Sequence, residues 1–242
     1  MPAWHGILKR NKQIILEKYS FCDIFLMSAN NNTLEKYMQY VDFQKVFKDF
    51  TVFSLVDMRQ VEPGFYRRRL NEWQEKGYIK KVIKGYYISS DLALDEKILF
   101  EIANRIYGPS YVSFEMALGY YELIPESVYG ITSASTRKTS HFITPVGEFL
   151  YRTIHPKLYF GFEFLNNNGK LFKLASPEKA FLDFLYIKTE LRDAADFKGL
   201  RINREIFHKL MDRNKMNVYL NAYGQKSLKR RVDNFLGYIG HA

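Results

Sequence analysis

The stretch from Phe50 to Ser90 leaves this part of the chain few ways to fold. It reads FTVFSLVDMRQ, then VEPG, then FYRRRLNEWQEKGYI, then KKVIKGYYIS. Pro63 and Gly64 suit a sharp turn, since proline presets φ and glycine tolerates strained entry. Gly77 suits the residue just past a helix end. Lys84-Gly85 suits a two-residue hairpin turn between strands carrying Tyr78, Val82, Tyr86 and Ile88. The order is helix, tight turn, helix, basic hairpin, which predicts a winged helix-turn-helix.

The second helix of the pair carries the chemistry. Tyr66, Leu70 and Trp73 recur at i, i+4 and i+7, so they share one face, which is expected to pack inward. Arg67, Arg68 and Asn71 then lie on the opposite face. Arginine and asparagine can hydrogen-bond bidentately to guanine and adenine edges in the major groove. These three are the expected base contacts. Arg69, Lys80, Lys81 and Lys84 are the expected phosphate contacts, which position a protein without reading sequence. Runs of arginine are also common on solvated helix faces. Here the charge falls on the face such a fold would present.

The net charge of +10 favours an anionic partner such as nucleic acid, without locating the surface that meets it. Hydrophobic residues at 47% and charged residues at 26% are ordinary for a globular protein, while aromatics at 17% predict aromatic-rich cores. A single cysteine, Cys22, excludes an internal disulfide framework and a cysteine-based zinc site, and a reducing cytoplasm is expected. No apolar run is long enough to span a bilayer, so no membrane partner is expected. The basic N-terminus lacks the apolar run of a signal peptide.

Residues 1 to about 30 depart from the pattern of the later chain and end in the polar Ala29 to Asn32 break. Met27 is read as the natural start, with residues 1–26 an upstream extension or loose arm. Thr33 is the expected N-cap of a helix over 34–48. Further helices are expected over about 53–61 and 64–76, with the wing over 78–89. The first domain is thus drawn at 31–91 and the second at 92–242.

The second domain opens with a helix over 95–107, stopped by Gly108-Pro109, and a second helix capped by Ser113. Short β-type runs come next, at 128–133, 140–145, 148–154, 159–165 and 170–174. Ser176-Pro177-Glu178 then starts a helix, and more are expected near 203–213 and 226–238. Helices, then strands, then helices argue for an α+β fold with a mostly antiparallel sheet flanked by helices.

Catalytic and metal chemistry find little support. Ser176 and Lys179 form S-x-x-K, but Ser176 reads better as a helix cap, and no companion motif accompanies it. The five histidines lack ligand spacing. No phosphate-binding glycine loop occurs, so neither cofactor nor metal is expected. Asp183 interrupts an apolar face and is expected to accept hydrogen bonds or pair with a cation. Glu115 sits near a helix start, where a carboxylate is favoured. Arg137-Lys138, and Lys226, Lys229, Arg230 and Arg231 on the last helix, are read as solvated surface, or else as auxiliary contacts to phosphates or to an acidic partner.

The segments YGPSYVSFEMALGYYELIPE (107–126), VYGITSASTRKT (128–139) and LASPEKAFLDFLY (174–186) carry a resemblance. In the last, Ala175, Pro177, Glu178, Lys179, Ala180 and Asp183 match an A-x-P-E-K-A-hydrophobic-x-D pattern. With the helix-turn-helix before them, the chain over about 34–225 resembles AbiEi-type antitoxins, regulators of type IV toxin–antitoxin systems used in phage defence. The resemblance implies repression at an inverted-repeat site in double-stranded DNA of the chain's own promoter. It implies antitoxin activity in the second domain, with Glu178, Lys179, Asp183, Arg137 and Lys138 as possible participants. It also implies a nucleotidyltransferase-like toxin as functional partner, countered without a stable complex. The rival expectation is a protein-binding module that docks or neutralises a toxin directly, with DNA binding secondary.

Overall fold

The computed structural model describes residues 38–48, 50–125, 130–167 and 169–241. The expected cap at Thr33, the start of the 34–48 helix, the Met27 boundary and the arm before it lie outside those residues.

Helix α1 (Tyr40–Phe47) buries Phe43 and Phe47. A short strand, β1 (Phe53–Ser54), leads directly into α2 (Leu55–Val61). Ser54 starts α2 through a capping box, in which its hydroxyl accepts from the Asp57 amide and Asp57 accepts from the Ser54 amide. The helix expected from residue 53 therefore begins after this cap. The Pro63-Gly64 turn is closed by the Phe65 amide donating to the Glu62 carbonyl at 2.9 Å. Helix α3 (Arg67–Glu75) ends at Lys76, and Gly77 comes next at φ +72°, a conformation that carries no Cβ penalty in glycine.

Strands β2 (Ile79–Ile83) and β3 (Tyr86–Ser89) pair through the Lys84-Gly85 turn, with Ile83 opposite Tyr86. With β1 they form an antiparallel sheet in the order β1-β3-β2, so β2 is an edge strand.

Packing under α3 corrects one expectation. Tyr66 is 62% exposed, whereas Phe65 is buried and meets Trp73 edge-on at 5.6 Å. The reason is the helix start. Tyr66 is the N-cap, with extended backbone (φ −86°, ψ 129°), so helical spacing does not yet apply to it.

Helix α4 (Glu96–Ile106) is capped by Asp95, which accepts from the Ile98 amide at 2.7 Å. Beyond it lies a six-stranded sheet, built from β4 (Ser110–Val112), β5 (Ile131–Ser135), β6 (Ser140–Thr144), β7 (Gly147–Thr153), β8 (Phe162–Asn167) and β9 (Lys170–Ala175). Its order is β6-β7-β5-β4-β9-β8. The hairpins β6–β7 and β8–β9 are antiparallel, as is β4–β5, but β5–β7 and β4–β9 are parallel. The sheet is therefore mixed, and its parallel pairings join strands that are not consecutive in the chain. Strand β4 is absent from the sequence expectation, because its residues are all buried and show no alternation.

Helices α5 (Phe114–Tyr120), α6 (Pro177–Ile187), α7 (Ala194–Gly199), α8 (Arg204–Leu210), α9 (Arg213–Tyr223) and α10 (Lys226–His241) complete the fold. The helix expected near 203–213 is present as α8, which ends at Leu210; α9 is a further helix absent from the sequence expectation, started by Asp212, which accepts from the Asn214 and Lys215 amides.

Helix α4 covers one face of the large sheet, with Phe100 edge-on to Phe172 at 5.6 Å. Tyr111 points to the other face and reaches Asp183 on α6. The core does not stop at residue 91. Val52, Val82 and Ile88 belong to the same buried cluster as Ile98, Ile102 and Leu182, and Tyr40–Ala242 form one compact unit. A module of some fifty residues buries little area alone, so shared packing is its natural support.

Candidate nucleic-acid interface

Helix α3 turns Leu70 and Trp73 inward, where Trp73 meets Tyr40 at 5.5 Å and Phe43 at 5.1 Å. That fixes which residues face out. Arg67, Arg68 and Asn71 are all exposed, as expected. The Arg68 side chain is 88% exposed, with Nε 3.3 Å from Glu72 one turn along. An exposed pair of this kind contributes little, so it presents no obstacle to exchange for a phosphate or base.

Arg69 differs from its expected role. Its Nη1 lies 2.8 and 3.0 Å from the two Glu62 carboxylate oxygens, and its guanidinium sits 4.4 Å over the Phe65 ring. Only 15% of the side chain is exposed. Arg69 ties the α2–α3 turn together rather than joining Arg67 and Arg68 on the outer face. Glu62, its partner, carries no sequence signal beyond its charge.

Lys80, Lys81 and Lys84 are exposed on the hairpin. Lys84 sits at the turn. Lys80 and Lys81 lie on edge strand β2 and border a shallow groove with Gln74, Gly77, Ser90 and Pro145. Successive strand side chains diverge, so these two lysines do not point alike. Edge lysines also discourage strand-to-strand association.

On α10, Lys226, Lys229 and Arg230 are exposed, but Arg231 is buried. Its Nη2 donates to the Leu185 carbonyl at 3.0 Å, in the last turn of α6. A cation placed there offsets the unpaired carbonyls of a helix C-terminus. Arg231 is thus removed from the auxiliary phosphate set.

The S-P-E-K segment is interior. Ser176 caps α6, and its hydroxyl donates to Glu178 at 2.8 Å. Glu178 is 2% exposed and is held by Lys215 Nζ at 3.0 Å and the Asp212 amide at 3.1 Å. Lys179 and Asp183, one turn apart, are fully buried and paired. Asp183 Oδ1 accepts from Lys179 Nζ and from the Tyr223 hydroxyl at 2.6 Å. Its Oδ2 accepts from Tyr111 at 2.9 Å and Ser113 at 2.8 Å. Lys179 Nζ also donates to the Tyr223 oxygen at 2.7 Å. Gly161, at φ +73°, lies against the lysine stem, and a Cβ there would stand 3.0 Å from Lys179 Cγ.

Burial lowers the Lys179 pKa, and the Asp183 carboxylate opposes that shift. Burial and then the Asp183 charge push both tyrosine hydroxyls well above their ordinary value, so they remain donors. Asp183 pairs with a cation and accepts hydrogen bonds, as expected of it, and Glu178, Lys179 and Asp183, named as possible participants in antitoxin activity, have their polar atoms turned inward and engaged. The same geometry separates the S-x-x-K residues, since Ser176 faces Glu178 and Lys179 faces Asp183. Arg137 stacks 4.0 Å over the Tyr107 ring and donates to the Gly108 carbonyl at 3.3 Å. Lys138 is exposed. Of the possible antitoxin residues, only these two reach the surface.

Among the described residues no cluster of His, Cys, Asp and Glu could hold a metal ion, and no helix is long and apolar enough to cross a membrane. No family model matches the chain, and no curated protein matches it.

Proposed function

We propose that this chain is a sequence-specific, DNA-binding transcriptional repressor. In this reading residues 40–89 are a winged helix-turn-helix, with α2 and α3 as the helix pair and β2–β3 as the wing. The observation that carries it is the joint exposure of Arg67, Arg68 and Asn71 on the one face of α3 that the aromatic core leaves free. Exposed Lys80, Lys81 and Lys84 on the neighbouring hairpin suit phosphate contacts. The resemblance to AbiEi-type antitoxins extends the proposal. The chain then represses its own promoter at an inverted repeat and counters a nucleotidyltransferase-like toxin without a stable complex. With the SPEK segment interior, that activity falls to surface groups such as Lys138.

Arg68→Ala is expected to weaken specific binding by about 1–3 kcal/mol and to relax base preference at one position. Selection from a random-sequence duplex pool, followed by gel shifts, reads both. An unchanged preference removes Arg68 from the base contacts. Lys84→Ala is expected to weaken binding to all sequences alike and to lower the salt slope by about one unit. A salt titration with the slope unmoved takes the wing off the DNA. A stable complex with an adjacent toxin, without any DNA binding, supports the docking alternative instead.

A further inference from the structure

Helix α4 belongs to the larger half of the fold, yet part of it serves the helix pair. Glu101 and Arg105 stand one turn apart on the same face. Thr51, fully buried, donates to Glu101 Oε2 at 2.5 Å. Arg105 Nη2 donates to Asp57 Oδ1 at 2.6 Å. Asp57 is the residue that completes the capping box of α2, and its Oδ2 is held by the Ser54 amide at 2.8 Å and hydroxyl at 2.7 Å. One carboxylate thus starts α2 with one oxygen and anchors it to α4 with the other.

Two further contacts carry the alignment across the turn to α3. Arg59 Nε donates to the Phe65 carbonyl at 3.3 Å, and Glu62 grips Arg69. Val52, Val82 and Ile88 share one core with Ile98 and Ile102 of α4. Contacts therefore run unbroken from the large sheet, through α4 and Asp57, to the helix that displays Arg67, Arg68 and Asn71. Asp57 is 7% exposed, so tilting α2 would break charge-assisted bonds in a partly desolvated place.

We infer that Arg105 and Glu101 are positioning residues: they hold the exposed face of α3 at a fixed angle to the large sheet, so that both halves meet DNA as one rigid body. What α3 touches rests on the DNA-binding proposal; how α3 is held does not. Burial pushes the Glu101 carboxyl up, against the Thr51 hydrogen bond and the charges of Lys170 and Arg105.

The test uses the full chain with Arg105→Met, Arg105→Lys and Glu101→Gln. Amide hydrogen exchange is followed over residues 54–61, and affinity is measured against salt for a duplex enriched from a random-sequence pool by the unmodified protein. Arg105→Met is expected to speed exchange over that segment about tenfold, the scale of one lost hydrogen bond to a charged group. Arg105→Lys is expected to recover part of the loss. Affinity is expected to fall with the salt slope unchanged, because Arg105 touches no phosphate. Unchanged exchange overturns the inference, and so does a slope lower by about one unit, which would place Arg105 on the DNA. If the unmodified protein enriches no duplex, the DNA proposal fails and exchange alone decides the positioning role. If Arg105→Met does not fold, the same exchange measurement on Arg105→Lys and Glu101→Gln decides it.

Discussion

Replacing Asp183 by alanine is expected to cost about 3–5 kcal/mol of folding stability, the usual range for breaking a buried ion pair from one side. Asp183 accepts from four side chains on four elements or their flanks: Lys179, Tyr223, Tyr111 and Ser113. Without it, the Lys179 ammonium is left in a site with no solvent exposure, and the Tyr223 oxygen is its remaining hydrogen-bond acceptor. Three hydroxyls lose an acceptor at the same moment. Each unsatisfied buried donor costs about 1–3 kcal/mol, and relaxation or water entry returns part of that.

The companion variant separates charge from shape. Lys179→Met with Asp183→Leu removes both charges and is expected to recover only the part of the loss due to the stranded ammonium, because Tyr111, Ser113 and Tyr223 still lack the acceptor that Asp183 supplied. Urea unfolding of the single and double variants reads both effects as midpoint shifts. A loss below about 1 kcal/mol for Asp183→Ala would sink the idea that this carboxylate organises the domain. The outcome bears on function too. Because the K-A-hydrophobic-x-D spacing is occupied by an interior pair, a loss of the proposed antitoxin activity on substitution there is expected to follow from unfolding rather than from a deleted contact.

What can be read from the residues alone is mostly local. The Pro63-Gly64 turn, the Gly77 helix end and the Lys84-Gly85 hairpin each depend on the backbone preference of one or two residues, and each stands where expected. The outward placement of Arg67, Arg68 and Asn71 comes from Leu70 and Trp73 alone. Spacing misplaces Tyr66 because that residue precedes the helix, where periodicity says nothing about direction. It misplaces Arg69 because its partner, Glu62, lies beyond a turn that periodicity does not cross. Long-range features are the least legible. Strand β4 has no alternation to see, and its parallel pairing with β9 joins Val112 to Leu174. Asp183 stands out as a charge on an apolar face, but its donors Tyr111 and Tyr223 come from distant parts of the chain.

Trp73→Ala is expected to destabilise the chain by about 3–5 kcal/mol and to abolish specific DNA binding, although Trp73 faces away from the proposed interface. The indole is 6% exposed and is surrounded by Tyr40, Phe43 and Phe65 at ring distances of 5.5, 5.1 and 5.6 Å. Arg69 lies 5.4 Å over the same ring, so truncation also loosens the Glu62–Arg69 tie across the turn. Packing of this kind fixes which way α3 faces, and therefore where Arg67, Arg68 and Asn71 point. Because Val52, Val82 and Ile88 share the core of the larger half, the loss is expected as a shift of one cooperative unfolding transition. Trp73→Phe retains a ring in the cluster and is expected to retain most of the stability and the binding. Differential scanning calorimetry distinguishes the possibilities. A second, separate transition confined to the variant's N-terminal part would show that the halves unfold independently, and would remove the physical basis for treating them as one body.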